Sequence, residues 1–99
     1  MIEHIVLFMV RSGAEPDQIE RMLDGLRSLK TVVPGIRELT CGANFSNRSR
    51  GFTHGLYIRF ESRADMEAYS AHPEHQRVVT ERIRPIVDDL LALDYEVPR

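Results

Sequence analysis

Residues 2–11 carry apolar side chains on both alternating faces of a β-rich run: His4, Val6 and Phe8 on one side, Ile5, Leu7 and Met9 on the other. A sheet in a chain this short usually wets one face, so a strand apolar on both predicts helices on one side and another sheet or subunit on the other. Gly13 to Asp17 make a turn with Pro16 at a first helical position. Ile19, Met22, Leu23, Leu26, Leu29 and Val33 then recur at helical spacing until Pro34-Gly35 stops the helix. Residues 36–45 read as a second strand and 46–51 as a polar loop. Residues 52–60 make a third strand, with His54, Leu56 and Ile58 on one face and Thr53, Gly55, Tyr57 and Arg59 on the other.

Ser62-Arg63-Ala64-Asp65 has the spacing of a capping box and launches a short helix containing Met66 and Tyr69, which His72-Pro73 interrupts. Pro73 starts a new helix that carries Val78, Val79 and Ile83 and ends near Pro85. Residues 90–97 alternate Leu91, Leu93, Tyr95 and Val97 against Ala92, Asp94 and Glu96, as a last strand. The order β-α-β-β-α-β is the split β-α-β plan of a ferredoxin-like α+β domain, an antiparallel sheet with both helices on one face. Ile5, Leu7, Met9, Leu91, Leu93 and Tyr95 then form an apolar patch on the bare face, which predicts a homodimer through that face.

The 99 residues, 42% of them hydrophobic, fit one domain over 1–99. A chain of this size buries roughly 60 to 65% of its unfolded surface, so a ligand cavity competes with packing unless a partner adds buried area. Basic and acidic residues number 13 and 15 and are spread evenly, which argues against nucleic acid and anionic membrane as partners. Cys41 is the single cysteine, so an intrachain disulfide, a zinc ribbon and a CxxC pair are all excluded. With no apolar window approaching a membrane span and no signal-like opening, a cytoplasmic address is expected.

The candidate chemistry lies in the histidines. His4 and His54 point between sheet and helices under the register above, and Tyr69-Ser-Ala-His72-Pro73-Glu74-His75 gathers a phenol, two imidazoles and a carboxylate at a helix break. In an unbroken helix Tyr69 and His75 would project about 120° apart, and the Pro73 break removes that constraint. His75 in a first helical turn is disfavoured as imidazolium and suits a general base, with Tyr69 as hydrogen-bond donor to a developing oxyanion. The plainer reading is a set of core histidines satisfied by neighbours. A metal site built on His72 and His75 competes for the same residues, but His72 before Pro73 also suits an N-cap, and neither metal nor organic cofactor is expected. Cys41 reads as a small core residue rather than a nucleophile.

These segments together resemble the stress-responsive dimeric α/β-barrel (Dabb) family: His4-Ile-Val-Leu-Phe, Val33-Pro34-Gly35-Ile36, Gly51-Phe-Thr-His54, the Tyr69 to His75 run, and Asp94-Tyr95. The resemblance implies a homodimer whose sheets pack face to face into an α+β barrel, with a pocket in each subunit between sheet and helices. In the family's best understood enzyme, residues matching Tyr69 and His75 promote an aldol-type closure of a linear polyketide without a cofactor. Residues matching His4, His54 and His72 line its pocket, and apolar walls fall near Val6, Phe8, Met22, Leu23, Leu26, Leu56 and Val78. Met22, Leu23 and Leu26 stand where that enzyme has aromatic residues. The resemblance thus implies a small, partly apolar carbonyl or phenolic ligand, bound by a cyclase-like enzyme or by a non-catalytic stress-response dimer. Cofactor-independent oxygenation is a further alternative.

Overall fold

Strand β1 (Ile2–Val10) lies inside a four-stranded antiparallel sheet of order β2-β3-β1-β4, so both of its edges are paired. The other strands are β2 (Ile36–Ala43), β3 (His54–Phe60) and β4 (Val87–Glu96). The structure is a computed structural model and describes residues 1–98. His4 pairs with Ile58 on one side and Asp94 on the other, Val6 with Leu56 and Ala92, and Ile5 with Tyr57 and Leu93. Even-numbered β1 residues therefore face the helices, and odd-numbered ones face away. The fold is the ferredoxin-like α+β arrangement expected from the element order.

Helix α1 (Pro16–Val32) begins with Pro16 at its first position and the Glu15 N–H donating 2.9 Å to the Gln18 side-chain carbonyl. Its apolar stripe of Met22, Leu23, Leu26 and Leu29 is buried against Val6, Phe8, Leu56, Ile58 and Phe60. Gly25 lies in the same helix, where a Cβ would come within 2.9 Å of the Arg82 side chain, so its hydrogen lets that side chain cross the helix. Arg82 donates 2.8 Å to the Arg21 carbonyl from there.

Several boundaries move from their sequence positions. Strand β2 ends at Ala43 rather than Phe45 and β3 starts at His54 rather than Phe52, because Asn44 turns its amide onto the carbonyls of Ser46 and Phe52 and draws the chain into a loop. Strand β4 starts at Val87, earlier than residue 90, and pairs Val87 with Val10 across an irregularity after Met9. In α2 (Arg63–Ala71), Ser62 accepts from the Asp65 N–H at 3.2 Å as an N-cap, while no return bond from Asp65 is present among the described residues. Beyond Pro73 the chain is not one α-helix: α3 (Pro73–Val78) runs into a π-helical turn over Val79–Ile83.

The face away from the helices stays open. Leu91, Leu93 and Tyr95 are about half exposed there, beside the partly buried Ile5, Leu7 and Met9. On the same face Glu3 is buried, bound by the Arg59 guanidinium and by the Tyr57 hydroxyl at 2.8 Å. The bond from Arg59, then that from Tyr57, holds the Glu3 carboxyl below the usual carboxylate range.

Leu26 is 1% exposed at the centre of the helix–sheet interface. Leu26→Ala is expected to lower unfolding free energy by about 2–5 kcal/mol through lost burial and the cavity left behind. Urea denaturation of the two proteins measures it.

Candidate functional site

The break between α2 and α3 makes the site. A residue preceding proline is disfavoured in the α region, and His72 takes extended angles (φ −65°, ψ 134°). Pro73 then starts α3, and the His72 Nδ1 accepts from the Glu74 N–H at 3.1 Å. His72 is thus an N-cap, which commits one ring nitrogen to the backbone. The turn of the chain brings His75 back over α2. The Ser70 carbonyl, orphaned by the end of α2, accepts from His75 Nδ1 at 3.2 Å and from Gln76 Nε2 at 2.6 Å.

A carbonyl oxygen only accepts, so His75 carries its proton on Nδ1, and its Nε2 lone pair is available when the ring is neutral. Burial pushes the His75 pKa down, the nearby His4 and His72 add to this, and the Ser70 bond opposes it. The imidazole is therefore neutral near pH 7, as a general base must be. Its ring packs on that of Tyr69, with centroids 4.2 Å apart and planes inclined by 39°.

Tyr69 is 2% exposed, and its ring also meets Phe60 at 5.1 Å and His4 at 6.1 Å. Burial raises its pKa, so the phenol stays protonated well into alkaline conditions. The hydroxyl makes no hydrogen bond among the described residues. No fully buried side-chain oxygen or nitrogen among them lacks a partner, so this oxygen is not completely sealed from its surroundings. His4 completes the group: its Nδ1 binds the Asp94 carboxylate, directly opposite on β4. The carboxylate only accepts, so His4 also presents Nε2 without a proton when neutral. Asp94 had a sequence signal, being with Glu96 one of two acids among residues 90–97 on the side of its strand opposite Leu91, Leu93 and Tyr95.

His4, Tyr69, His72 and His75 thus come together, while His54 does not join them. It is four residues along β3 from Ile58, the cross-strand partner of His4, which is about 13 Å along the sheet. His54 Nδ1 lies 2.8 Å from Thr53 Oγ1, and burial lowers its pKa, so it sits as a neutral histidine at the far end of the same face. Val6, Phe8, Met22, Leu23, Leu26, Leu56 and Val78 are all in the buried core. A concavity of about 500 Å³ is on the opposite, open face, where Ile5, Leu7, Gly42, Gly55 and Tyr57 line it. Cys41 packs at the edge of the core, with its thiol near the Leu23 carbonyl and its pKa raised by burial, the reverse of an activated nucleophile. Among the described residues no group of three or more His, Cys, Asp and Glu side chains could hold a metal ion, and no helix is long and apolar enough to cross a membrane.

Comparison with known proteins places this geometry in context. The family model described as "Stress responsive A/B Barrel Domain" matches residues 2–97. A stress-response A/B barrel domain-containing protein of Arabidopsis thaliana is 37% identical over 99 residues, covering 100% of this chain. The chain spans 38% of the length of that relative and 46% of a second Arabidopsis relative named for the same domain. Olivetolic acid cyclase of Cannabis sativa is 23% identical over 96 residues, covering 95% of this chain and 94% of its own. Among solved structures, a dimeric ferredoxin-like protein of unknown function from a Jannaschia species is 29% identical with a TM-score of 0.78, covering 97% of this chain and 98% of its own. Hydroxynitrile lyase from Passiflora edulis is 24% identical with a TM-score of 0.88, covering 98% and 93%, and shares the fold. With nearly its whole length matched by the family model, the chain belongs to the stress-responsive A/B barrel domain (Dabb) family.

Proposed function

We propose that this chain binds a small, partly apolar carbonyl or phenolic compound beside Tyr69 and catalyses cofactor-free enolate chemistry of the aldol type. The observation that carries this reading is the contact between the Tyr69 and His75 rings, which leaves both the phenol O–H and the His75 Nε2 for a third party. His75 Nε2 removes a proton from carbon next to a carbonyl, and the electron pair moves onto the carbonyl oxygen. The Tyr69 hydroxyl donates to that oxyanion. The enolate carbon then bonds to a second carbonyl carbon of the same molecule, and the new alkoxide takes the proton back from His75. Atoms and charge balance with no added reactant. His4, held by Asp94, is a second polar contact, its Nε2 accepting from a hydroxyl group of the bound compound. The cyclase relative supports the reaction class.

The working unit in this reading is a homodimer joined through the open sheet face, supported by the exposed Leu91, Leu93 and Tyr95 and by a dimeric neighbour of the same fold. The lone thiol and the lack of a membrane-crossing helix among the described residues favour a cytoplasmic setting.

A screen of β-polyketones and phenolic metabolites tests the chemistry. His75→Ala should lower turnover by about 10² to 10⁴. Tyr69→Phe, which keeps the ring contacts, should lower it by about 10² to 10³. Equal turnover by wild type and His75→Ala would make the histidines structural and leave the ligand-binding dimer as the function.

The rate should rise with pH through an apparent pKa below 6.5 as His75 loses its proton, and stay level above pH 8 because Tyr69 keeps its own. Folding stability has the same sign. The unfolded chain binds protons at His75 and His54 more readily than the folded one, so stability present above pH 6.5 is lost as pH falls below it. Thermal unfolding from pH 5 to 8 reads this directly.

Sedimentation at micromolar concentration should show twice the 11.4 kDa chain mass. Leu93→Glu, at a position 58% exposed in the single chain, should shift it to the monomer. A wild-type monomer would refute the sheet-to-sheet interface.

A further inference from the structure

In an unbroken helix the Ser70 carbonyl would accept from the Glu74 N–H, four residues on. That N–H is taken by His72 Nδ1, so the carbonyl near the end of α2 is left to side chains. Two reach it: His75 Nδ1 at 3.2 Å and Gln76 Nε2 at 2.6 Å. The first bond sets the tautomer of the candidate base. The second, shorter one comes from an exposed residue whose amide water could serve as well.

Residue 76 closes the break twice. Its backbone N–H donates to the His72 carbonyl at 3.0 Å and its side chain donates to Ser70, so the first turn of α3 is tied both to the break and to the last turn of α2. A carbonyl oxygen has two lone pairs, and here Gln76 and His75 take one each. The Ser70 oxygen is thereby aimed by Gln76 at the place where His75 Nδ1 meets it, with the imidazole lying on the Tyr69 ring.

Sharing one oxygen also sets two N–H groups side by side. Their hydrogens repel, and the repulsion grows when the ring gains its second proton, because an imidazolium donor is the more positive. The Ser70 bond by itself favours the charged ring, and Gln76 works against it. The other ionisable groups around the ring are His4 of β1, bound to Asp94 of β4, His72 at the break, and Tyr69 of α2. His4 and His72 also disfavour the charged form. On α3 itself, Glu74 and Arg77 pair with each other at 3.3 Å.

We propose that Gln76 is a positioning residue of the site: by sharing the Ser70 carbonyl with His75 it holds the imidazole over Tyr69 with Nε2 bare and opposes a second proton on the ring. The proposal deepens the enolate reading, which uses His75 as its base. Its chemistry concerns the ring alone and is measurable without a substrate.

The experiment is an NMR titration of the His75 ring in the ¹⁵N-labelled full chain, comparing wild type with Gln76→Met, a neutral side chain of similar length that cannot donate. Wild type should carry its proton on Nδ1 when neutral. In Gln76→Met the protonation equilibrium should move two- to threefold toward the charged ring, an upward pKa change of about 0.3–0.5. Gln76→Lys, which restores an N–H donor, should return the value to that of wild type or below it. Thermal midpoints should agree within about 3 °C, since residue 76 is exposed. An unchanged or lower pKa in Gln76→Met, or a wild-type ring protonated on Nε2, would overturn the proposal. On a polyketone that the enzyme turns over, the acid limb of the rate profile should rise with the ring's pKa in Gln76→Met. An unmoved limb beside a moved titration would refute His75 as the base while upholding the effect of Gln76 on its ring.

Discussion

The burial of one face of β1 under α1 is the interaction on which the remaining features depend. Met22, Leu26 and Leu29 seal Val6, Phe8, Ile58 and Phe60 from water, and this fixes the register of the sheet, since a slip by one residue would present Glu3 and Ile5 to the helices instead. That register puts His4 opposite Asp94 and under Tyr69, and His54 too far along the same face to meet them. It also sends Leu91, Leu93 and Tyr95 to the open side. A short chain thereby separates a polar cluster on one side of its sheet from an exposed apolar patch on the other.

The polar cluster rests on a local rule of backbone sterics rather than on the core. Proline at 73 denies His72 the helical conformation, and the freed Ser70 carbonyl captures the side chain that arrives next. One hydrogen bond then fixes the position of the His75 ring and its tautomer, while burial, against that bond, keeps the ring neutral. Glu3 shows the contrasting solution on the open face. There a carboxylate is kept charged among apolar neighbours by a guanidinium and a phenol that stay in contact with it.

Much of this is legible in the sequence because it follows from periodicity and from residues with one strong preference. Alternation along residues 2–11 and 90–97 marks the faces of the sheet, and Pro16, Pro34 and Pro73 mark the helix limits. The helix break also permits the meeting of Tyr69 and His75, which a straight helix would project about 120° apart. The ring stacking, the capture of Ser70 and the role of Asp94 depend on three-dimensional placement that no short window contains. His54 is the instructive case. It lies on the expected face, yet sharing a face with His4 does not place it within reach, because distance along a strand grows by about 3.3 Å per residue. The hollow over Gly42 and Gly55 is hidden in the sequence for a related reason: two glycines thirteen positions apart read as separate features until the register sets them side by side.

The π-helical turn after Val78 resets the angular phase of the second half of the molecule. Five residues separate Val78 from Ile83, and in a straight α-helix they would point about 140° apart, one inward and one toward water. Closing that stretch with wider i to i+5 bonds lets both be buried. The segment therefore behaves like two helices of independent phase joined without a loop, one oriented by the histidine site and the other by the strand that follows.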